Sequence, residues 1–245
     1  MPVKFENYSH SFLLNGKHVF APSRLGRRIG EDVKQRVEGA YAFADYYYHL
    51  RKGGHVAGLH AHRRNAFFCK IDLENFFYSV ARNRVVRSLK QIGVHRALHY
   101  GKWSCVKNPY LNPSYALPYG FVQSPILATL VLATSAVGKV LNGLSKEVTL
   151  AVYVDDISMS SDDPTLLQSK FDELAQAAQD AGFGLSTGKT ILPSKTMSVF
   201  NCSLRQGETA VTPERIADFH RNGPSAESAA GFERYRLSVE IGNSR

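Results

Sequence analysis

Leu150-Ala151-Val152-Tyr153-Val154-Asp155-Asp156-Ile157-Ser158-Met159 is a run of apolar residues interrupted by two adjacent acids. The β-branched and aromatic residues on each side predict two strands, with a tight turn between them. Such a hairpin lifts the acids to its tip. Neighbouring carboxylates repel each other and resist desolvation, so the tip is costly without a cation. Magnesium takes oxygen ligands and leaves positions open for substrate phosphates, which makes phosphoryl transfer the first chemistry to consider. The plain alternative is a solvated Asp-Asp turn, and the rest of the chain weighs against it.

A third acid strengthens the case. Ala66-Phe67-Phe68-Cys69-Lys70-Ile71 is a β-prone run that delivers Asp72 at its end, beside the turn Leu73-Glu74-Asn75 and the rings of Phe76 and Phe77. Across a sheet, Asp72 could meet the hairpin tip. Three carboxylates around one cavity can hold two divalent ions, one for a primer hydroxyl and one for a triphosphate.

Working outward, residues 1–30 read as irregular or hairpin-like, with Asn15-Gly16 as a turn signal. Helical spacing predicts a helix from Glu31 to Leu50, although Tyr46-Tyr47-Tyr48 blurs the period. Val85, Val86, Leu89 and Ile92 predict a helix over 80–92 with Ser79 as N-cap. A Pro-rich loop, 109–118, leads to one long apolar helix from Pro125 to Leu144, capped by Ser124. After the hairpin at 148–161, Asp163-Pro164 opens a helix with Leu166, Leu167, Phe171, Leu174 and Ala178 on one stripe. Short strands near 196–212 precede two last helices, opened by Thr212-Pro213 and Ser225. The order predicts an α+β fold, an antiparallel sheet backed by helices.

Composition bounds the reading. Of 245 residues, 44% are hydrophobic and 21% charged, as in an ordinary globular protein. No apolar run reaches the ~18 residues of a membrane span. The start, Met1-Pro2-Val3-Lys4-Phe5-Glu6, lacks a signal-peptide layout, and three isolated cysteines suit a reducing compartment, so the expected location is cytoplasmic. The net charge of +9 favours a polyanion, nucleic acid above all. Arginines and lysines recur at 24, 27, 28, 34, 36, 51, 52, 63, 64, 82, 84, 87 and 90, a track rather than a tail.

The motifs together resemble the reverse transcriptases, in particular the prokaryotic group of retron, group II intron and defence-associated enzymes. Phe68 to Ser79 resembles their first catalytic motif, and Leu117-Pro118-Tyr119-Gly120-Phe121-Val122-Gln123-Ser124-Pro125 the loop-helix motif after it. Tyr153 to Asp156 is similar to the signature hairpin. Gly182 to Ser186, with Lys189-Thr190, resembles the motif that follows, and Gly54 to His62 the Gly-and-His element ahead of the first strand. The likeness covers residues 45–205 in the family's order.

That resemblance implies a right-hand polymerase palm and fingers: fingers over 1–65, palm over 66–205 and a minimal thumb-like helical end over 206–245. It implies an RNA-directed DNA polymerase with two Mg2+ ions (Mn2+ as substitute) on Asp72, Asp155 and Asp156. Phe77 falls where an aromatic excludes a 2′-hydroxyl, though a core aromatic is its rival. Gly120 would admit the incoming nucleotide, Lys189 would serve the triphosphate, and Arg27 and Arg28 are candidates to grip it. Tyr119 stands where the family often has Gln. Implied partners are an RNA template or dedicated non-coding RNA, the DNA product and deoxynucleotides. A protein partner or second copy would replace the missing clamp, no membrane is involved, and antiphage defence is the setting by analogy.

Rivals remain at this stage: a template-independent or protein-primed DNA polymerase, an RNA-synthesising polymerase, or a non-catalytic nucleic-acid-binding scaffold. His55, His60 and His62 near Cys69 match no standard zinc spacing. Tyr46, Tyr47, Tyr48 and His49 either stack on bases or pack internally.

Overall fold

The protein was described from a computed structural model, which covers residues 6–243; the expectation placed on Met1 to Phe5 lies outside the described residues. The chain opens with a hairpin of β1 (Tyr8–Leu14) and β2 (Lys17–Pro22), turned at Asn15 and Gly16, both with positive φ. That Asn-Gly pair suits the twist of a two-residue hairpin loop. Ser23 Oγ accepts the Gly26 N–H at 3.0 Å and so starts α1 (Arg24–Ala40). The helix therefore lies earlier than periodicity predicts, ending at an extended Tyr41, and the tyrosine run is outside it.

The chain continues through α2 (Gly54–His62), β3 (Phe67–Asp72), the single turn α3 (Phe76–Ser79) and α4 (Arg82–Gln91). Ser79 does not cap α4: its Oγ donates to the Phe76 carbonyl at 2.7 Å, and Ala81 holds the cap position. Next come α5 (Ala97–Ser104), the short pair β4 (Val106–Lys107) and β5 (Tyr115–Ala116), α6 (Ser124–Ala133) and α7 (Ala136–Leu144). The expected single helix 125–144 is thus two. Thr134 and Ser135 turn their hydroxyls back onto the carbonyls of Leu130 and Leu132, both at 2.7 Å, a bonding mode that competes with helix continuation.

The hairpin β6 (Thr149–Tyr153) and β7 (Asp156–Ser161) leads to α8 (Pro164–Asp180), opened by Asp163 Oδ1 accepting the N–H groups of Thr165 and Leu166. Then follow β8 (Ile191–Ser194), β9 (Thr196–Val199), β10 (Cys202–Arg205), β11 (Glu208–Val211), α9 (Pro213–Arg221) and α10 (Ala226–Glu240). Thr212 and Ser225 cap the last two helices through their hydroxyls, as expected.

Two compact units share the chain: one takes Met1–Phe43, Leu73–Lys139 and Ala177–Gly184, the other Ala44–Asp72, Val140–Gln176 and Leu185–Arg245. In the first unit α1, α4, α5 and α6 pack together around Val33, Val37, Val85, Leu89, Ile126 and Leu130, all buried. Gly30 leaves room there for the buried Gln123 amide, whose Oε1 would stand 2.2 Å from a Cβ.

The second unit holds a four-stranded antiparallel sheet ordered β6-β7-β3-β8 and a meander ordered β11-β10-β9. Leu59, Phe68, Met197, Val199, Leu204, Val211 and Val239 form its core. Arg63 ties α10 to this unit, donating to the carbonyls of Val239 and Ile241 and to Thr209 Oγ1. A cation at a helix C-terminus is favourable, so the end of α10 supplies what a counter-ion otherwise would. Cys69, Cys105 and Cys202 are buried and unpaired. Among the described residues no single helix is long and apolar enough to cross a membrane.

Candidate active site

Strand alternation aligns the site. On β3, residues Phe68, Lys70 and Asp72 share one face, and on β7 their partners are Ser160, Ser158 and Asp156. Asp72 is directly opposite Asp156. Asp72 is 5% exposed, and the Asp156 side chain is also largely covered, at 21%. Two acids this close and this dry need positive charge, which two lysines supply. Lys70 Nζ is 3.1 Å from Asp156 Oδ1, and Lys189 Nζ is 3.7 Å from Asp72 Oδ2. Burial raises the Asp156 carboxyl pKa above the usual carboxylate range, with Lys70 opposing the shift.

Lys189 is positioned by backbone. Ser186 N–H donates to the Asp72 carbonyl at 2.9 Å, and Ser186's own carbonyl then accepts from Lys189 and Thr190, closing a tight loop. Lys70 went unremarked in the sequence, although its place two residues before Asp72 puts it on the same strand face.

The hairpin tip is strained. Val154 has φ +60°, a left-handed conformation that a β-branched residue rarely adopts. His49 Nδ1 accepts the Val154 N–H at 3.1 Å, and the segment before it runs along β6, with Val152 N–H donating to the Tyr46 carbonyl at 2.8 Å. Burial lowers the His49 pKa to about 4, so the ring is neutral, and its Nδ1 faces the Val154 N–H and, at 3.4 Å, the Val152 carbonyl. The Tyr46–His49 run thus packs inside its unit. Tyr153 stands among His49, His55 and Phe200, with centroids 5.1 to 5.9 Å away. Asp155 is half-buried in the turn.

Beyond Lys70 the polar face continues. His62 is fully buried, its Nδ1 2.7 Å from Ser160 Oγ and its Nε2 2.9 Å from Ser158 Oγ, and burial lowers its pKa to about 4. Asn65 Nδ2 donates to Ser160 Oγ and Thr149 Oγ1. His55 meets the Tyr235 hydroxyl and His60 the Val239 carbonyl.

Among the described residues no three His, Cys, Asp or Glu side chains already surround a point suited to an ion. The donor set nonetheless fits divalent magnesium: hard carboxylate oxygens on paired strands, a third acid in the adjoining turn, and a largely covered carboxyl whose pKa burial raises.

The remaining predicted residues belong to the first unit. Phe77 is buried, its ring edge-on to Tyr119 at 4.8 Å. Tyr119 Oη accepts from Lys17 Nζ at 3.2 Å. Gly120 has φ +99°, and a Cβ there would stand 2.3 Å from the Phe20 carbonyl oxygen. Packing against β2 therefore already demands glycine. Arg27 and Arg28 are exposed on the first turns of α1, where with Arg24, Leu25 and Glu31 they line a 520 Å³ groove.

The sequence model of the family described as reverse transcriptase (RNA-dependent DNA polymerase) matches residues 17–204, a span that contains Asp72, Asp155, Asp156, Lys70 and Lys189. Among solved structures, the chain is similar to a telomerase from Candida albicans in complex with a fragment of telomeric RNA. That match has 10% identity and a TM-score of 0.55, and covers 77% of this chain and 39% of that one. It is also similar to a foamy viral protease-reverse transcriptase in complex with double-stranded DNA. There the identity is 16% and the TM-score 0.54, with 92% and 41% of the two chains covered. A further form of that viral enzyme, also with double-stranded DNA, gives 16% identity and a TM-score of 0.53, over 90% and 33% of the chains. The chain spans well under half the length of these proteins, and at such identities the likeness is one of fold, the α+β palm and fingers of polymerases. No curated protein matches the chain. The strand-borne acids, the hairpin tip and the family match lead to one conclusion: this chain belongs to the reverse transcriptase (RNA-dependent DNA polymerase) family.

Proposed function

We propose that this chain copies RNA into DNA by adding deoxynucleotides to a primer, with Asp72, Asp155 and Asp156 as its acidic set. The observation that carries the reading is the register pair Asp72 and Asp156, the first buried and the second largely covered, with a lysine beside each. Mg2+ bound there would acidify the primer hydroxyl and neutralise the triphosphate. The chain's own residues do the rest. Asp72 and Asp156 supply fixed negative oxygens, and Asp155 adds a third from the turn. Lys189, tethered beside Asp72 by Ser186, offers an ammonium to the departing pyrophosphate as charge partner or proton donor.

In this reading residues 1–65 serve as fingers, 66–205 as palm and 206–245 as a thumb-like end; these functional labels run across the two compact units. Phe77, held edge-on by Tyr119, excludes a 2′-hydroxyl and so selects deoxynucleotides. Gly120 keeps the nucleotide side clear of a side chain, and Arg27 and Arg28 present unobstructed guanidiniums for triphosphate. The net charge of +9 supports a nucleic-acid partner, for which a dedicated RNA is our proposal. A protein partner or second copy would complete the duplex clamp. The bacterial, defence-associated setting follows from the motif resemblance.

The test is primer extension on an RNA template with Asp72→Asn and Asp155→Asn, each of which should abolish magnesium-dependent addition in a folded protein. Sequencing the nucleic acid that copurifies identifies the RNA. Plaque counts with wild type and Asp155→Ala test the defence role, which equal protection by both would contradict.

A further inference from the structure

The first unit carries two arginines that no acid neutralises. Arg84 and Arg87, one turn apart on α4, make no ion pair or hydrogen bond among the described residues, so no carboxylate is within reach of either. They line a 320 Å³ cleft with Ser88, Gln91, Thr134 and Ser135, where α4 passes the break between α6 and α7. Most oxygens of that wall are already engaged. Thr134 and Ser135 hydroxyls donate to Leu130 and Leu132, and Ser88 Oγ is 2.8 Å from Thr134 Oγ1. The charged groups left to meet a ligand are the two guanidiniums, with the Gln91 amide beside them.

Arg84 is also pre-set. Its guanidinium lies over the Phe183 ring, 4.3 Å from the centroid, which covers one face and leaves the in-plane N–H groups to point elsewhere. Burial and then Arg87 both lower its proton affinity, a sign of like charges held together in partly dry surroundings. A bound anion relieves both effects. Guanidinium forks match phosphate oxygens bidentately, and the net charge of +9 favours a polyanion as the source of those oxygens.

We infer that the Arg84–Arg87 cleft binds a backbone phosphodiester of a nucleic-acid strand, at a site that includes none of the residues assigned to the reaction. The inference does not require the polymerase reading, because its readout is binding in the absence of nucleotides.

The test is fluorescence anisotropy of the full chain with a labelled RNA hairpin across a salt series. We compare wild type, Arg87→Gln, and Arg84→Gln with Arg87→Gln. Arg205→Gln with Arg221→Gln is the charge-matched control, since Glu208 and Asp218 already neutralise those arginines. The double cleft variant should bind about tenfold more weakly, with a salt slope smaller by about one to two, and the control should stay near wild type. Arg87 is exposed and makes no contact that the fold needs, so its single variant preserves the test if Arg84→Gln fails to fold. Unchanged affinity in the cleft variants overturns the inference, as does an equal loss in the control. Inorganic phosphate that protects wild type alone against heat, with RNA affinity unaltered in the variants, would assign the cleft to a small anion and overturn the nucleic-acid occupant.

Discussion

His49 holds Val154. The imidazole Nδ1 accepts the one backbone N–H that the left-handed residue of the hairpin tip presents, at 3.1 Å, and the acids follow immediately in the chain. Removing the acceptor leaves that N–H without this partner and a strained turn without its brace. His49→Ala should cost about 1–2 kcal/mol in urea unfolding and lower kcat more than it raises KM. A variant with unchanged kcat would show that the tip needs no brace.

Val154 itself gives a complementary prediction. Glycine adopts φ +60° without steric cost, so Val154→Gly should change stability by less than about 1 kcal/mol in either direction. The same change at Val152, fully buried and extended, should cost about 3 kcal/mol or more. Urea midpoints of the two variants check the contrast.

Two buried histidines set an acid limit. His49 and His62 are each held at about 4 against an ordinary 6.5, so the unfolded chain binds more protons than the folded one between those values. Stability is complete above about pH 6.5 and falls as the pH drops toward 4, by up to roughly 3 kcal/mol per group. Urea unfolding at several pH values should show this slope. His62→Asn should flatten part of it even if the variant is less stable at pH 7.

Phe77 separates two roles. As a sugar gate, Phe77→Ala admits ribonucleotides, measured as the ratio of kcat/KM for deoxy- and ribonucleotides; as a core ring only, it loses about 3–4 kcal/mol of stability and keeps its preference. We expect both the loss and the altered ratio, since the ring is buried against Tyr119 and the proposed function gives it the selecting role.

Where a side chain's role follows from its immediate neighbours in the chain, the sequence was enough. The hairpin, the strand ending at Asp72 and the caps at Asp163, Thr212 and Ser225 are all local signals. The misplaced features depend on distant partners or on competing bonds. The helix 125–144 breaks at Thr134 and Ser135, whose hydroxyls bond back to the preceding turn, which periodicity does not register. Lys70 drew no remark in the sequence, because its ion pair with Asp156 arises only once β3 and β7 lie side by side. His49 reads in the sequence only as a ring that stacks on bases or packs internally, because the Val154 N–H it accepts lies 105 residues away. Gly120 was read as a concession to the nucleotide, and the Phe20 carbonyl proves a sufficient reason.

The account depends most on the facing acids of β3 and β7. Mg2+-dependent extension of a primer on an RNA template, measured for wild type, Asp72→Asn and Asp156→Asn with circular dichroism as the fold check, tests it directly. The predicted result is extension by wild type alone, with both variants folded and with activity reduced at least about a thousandfold. Extension by folded Asp72→Asn at close to the wild-type rate would contradict it.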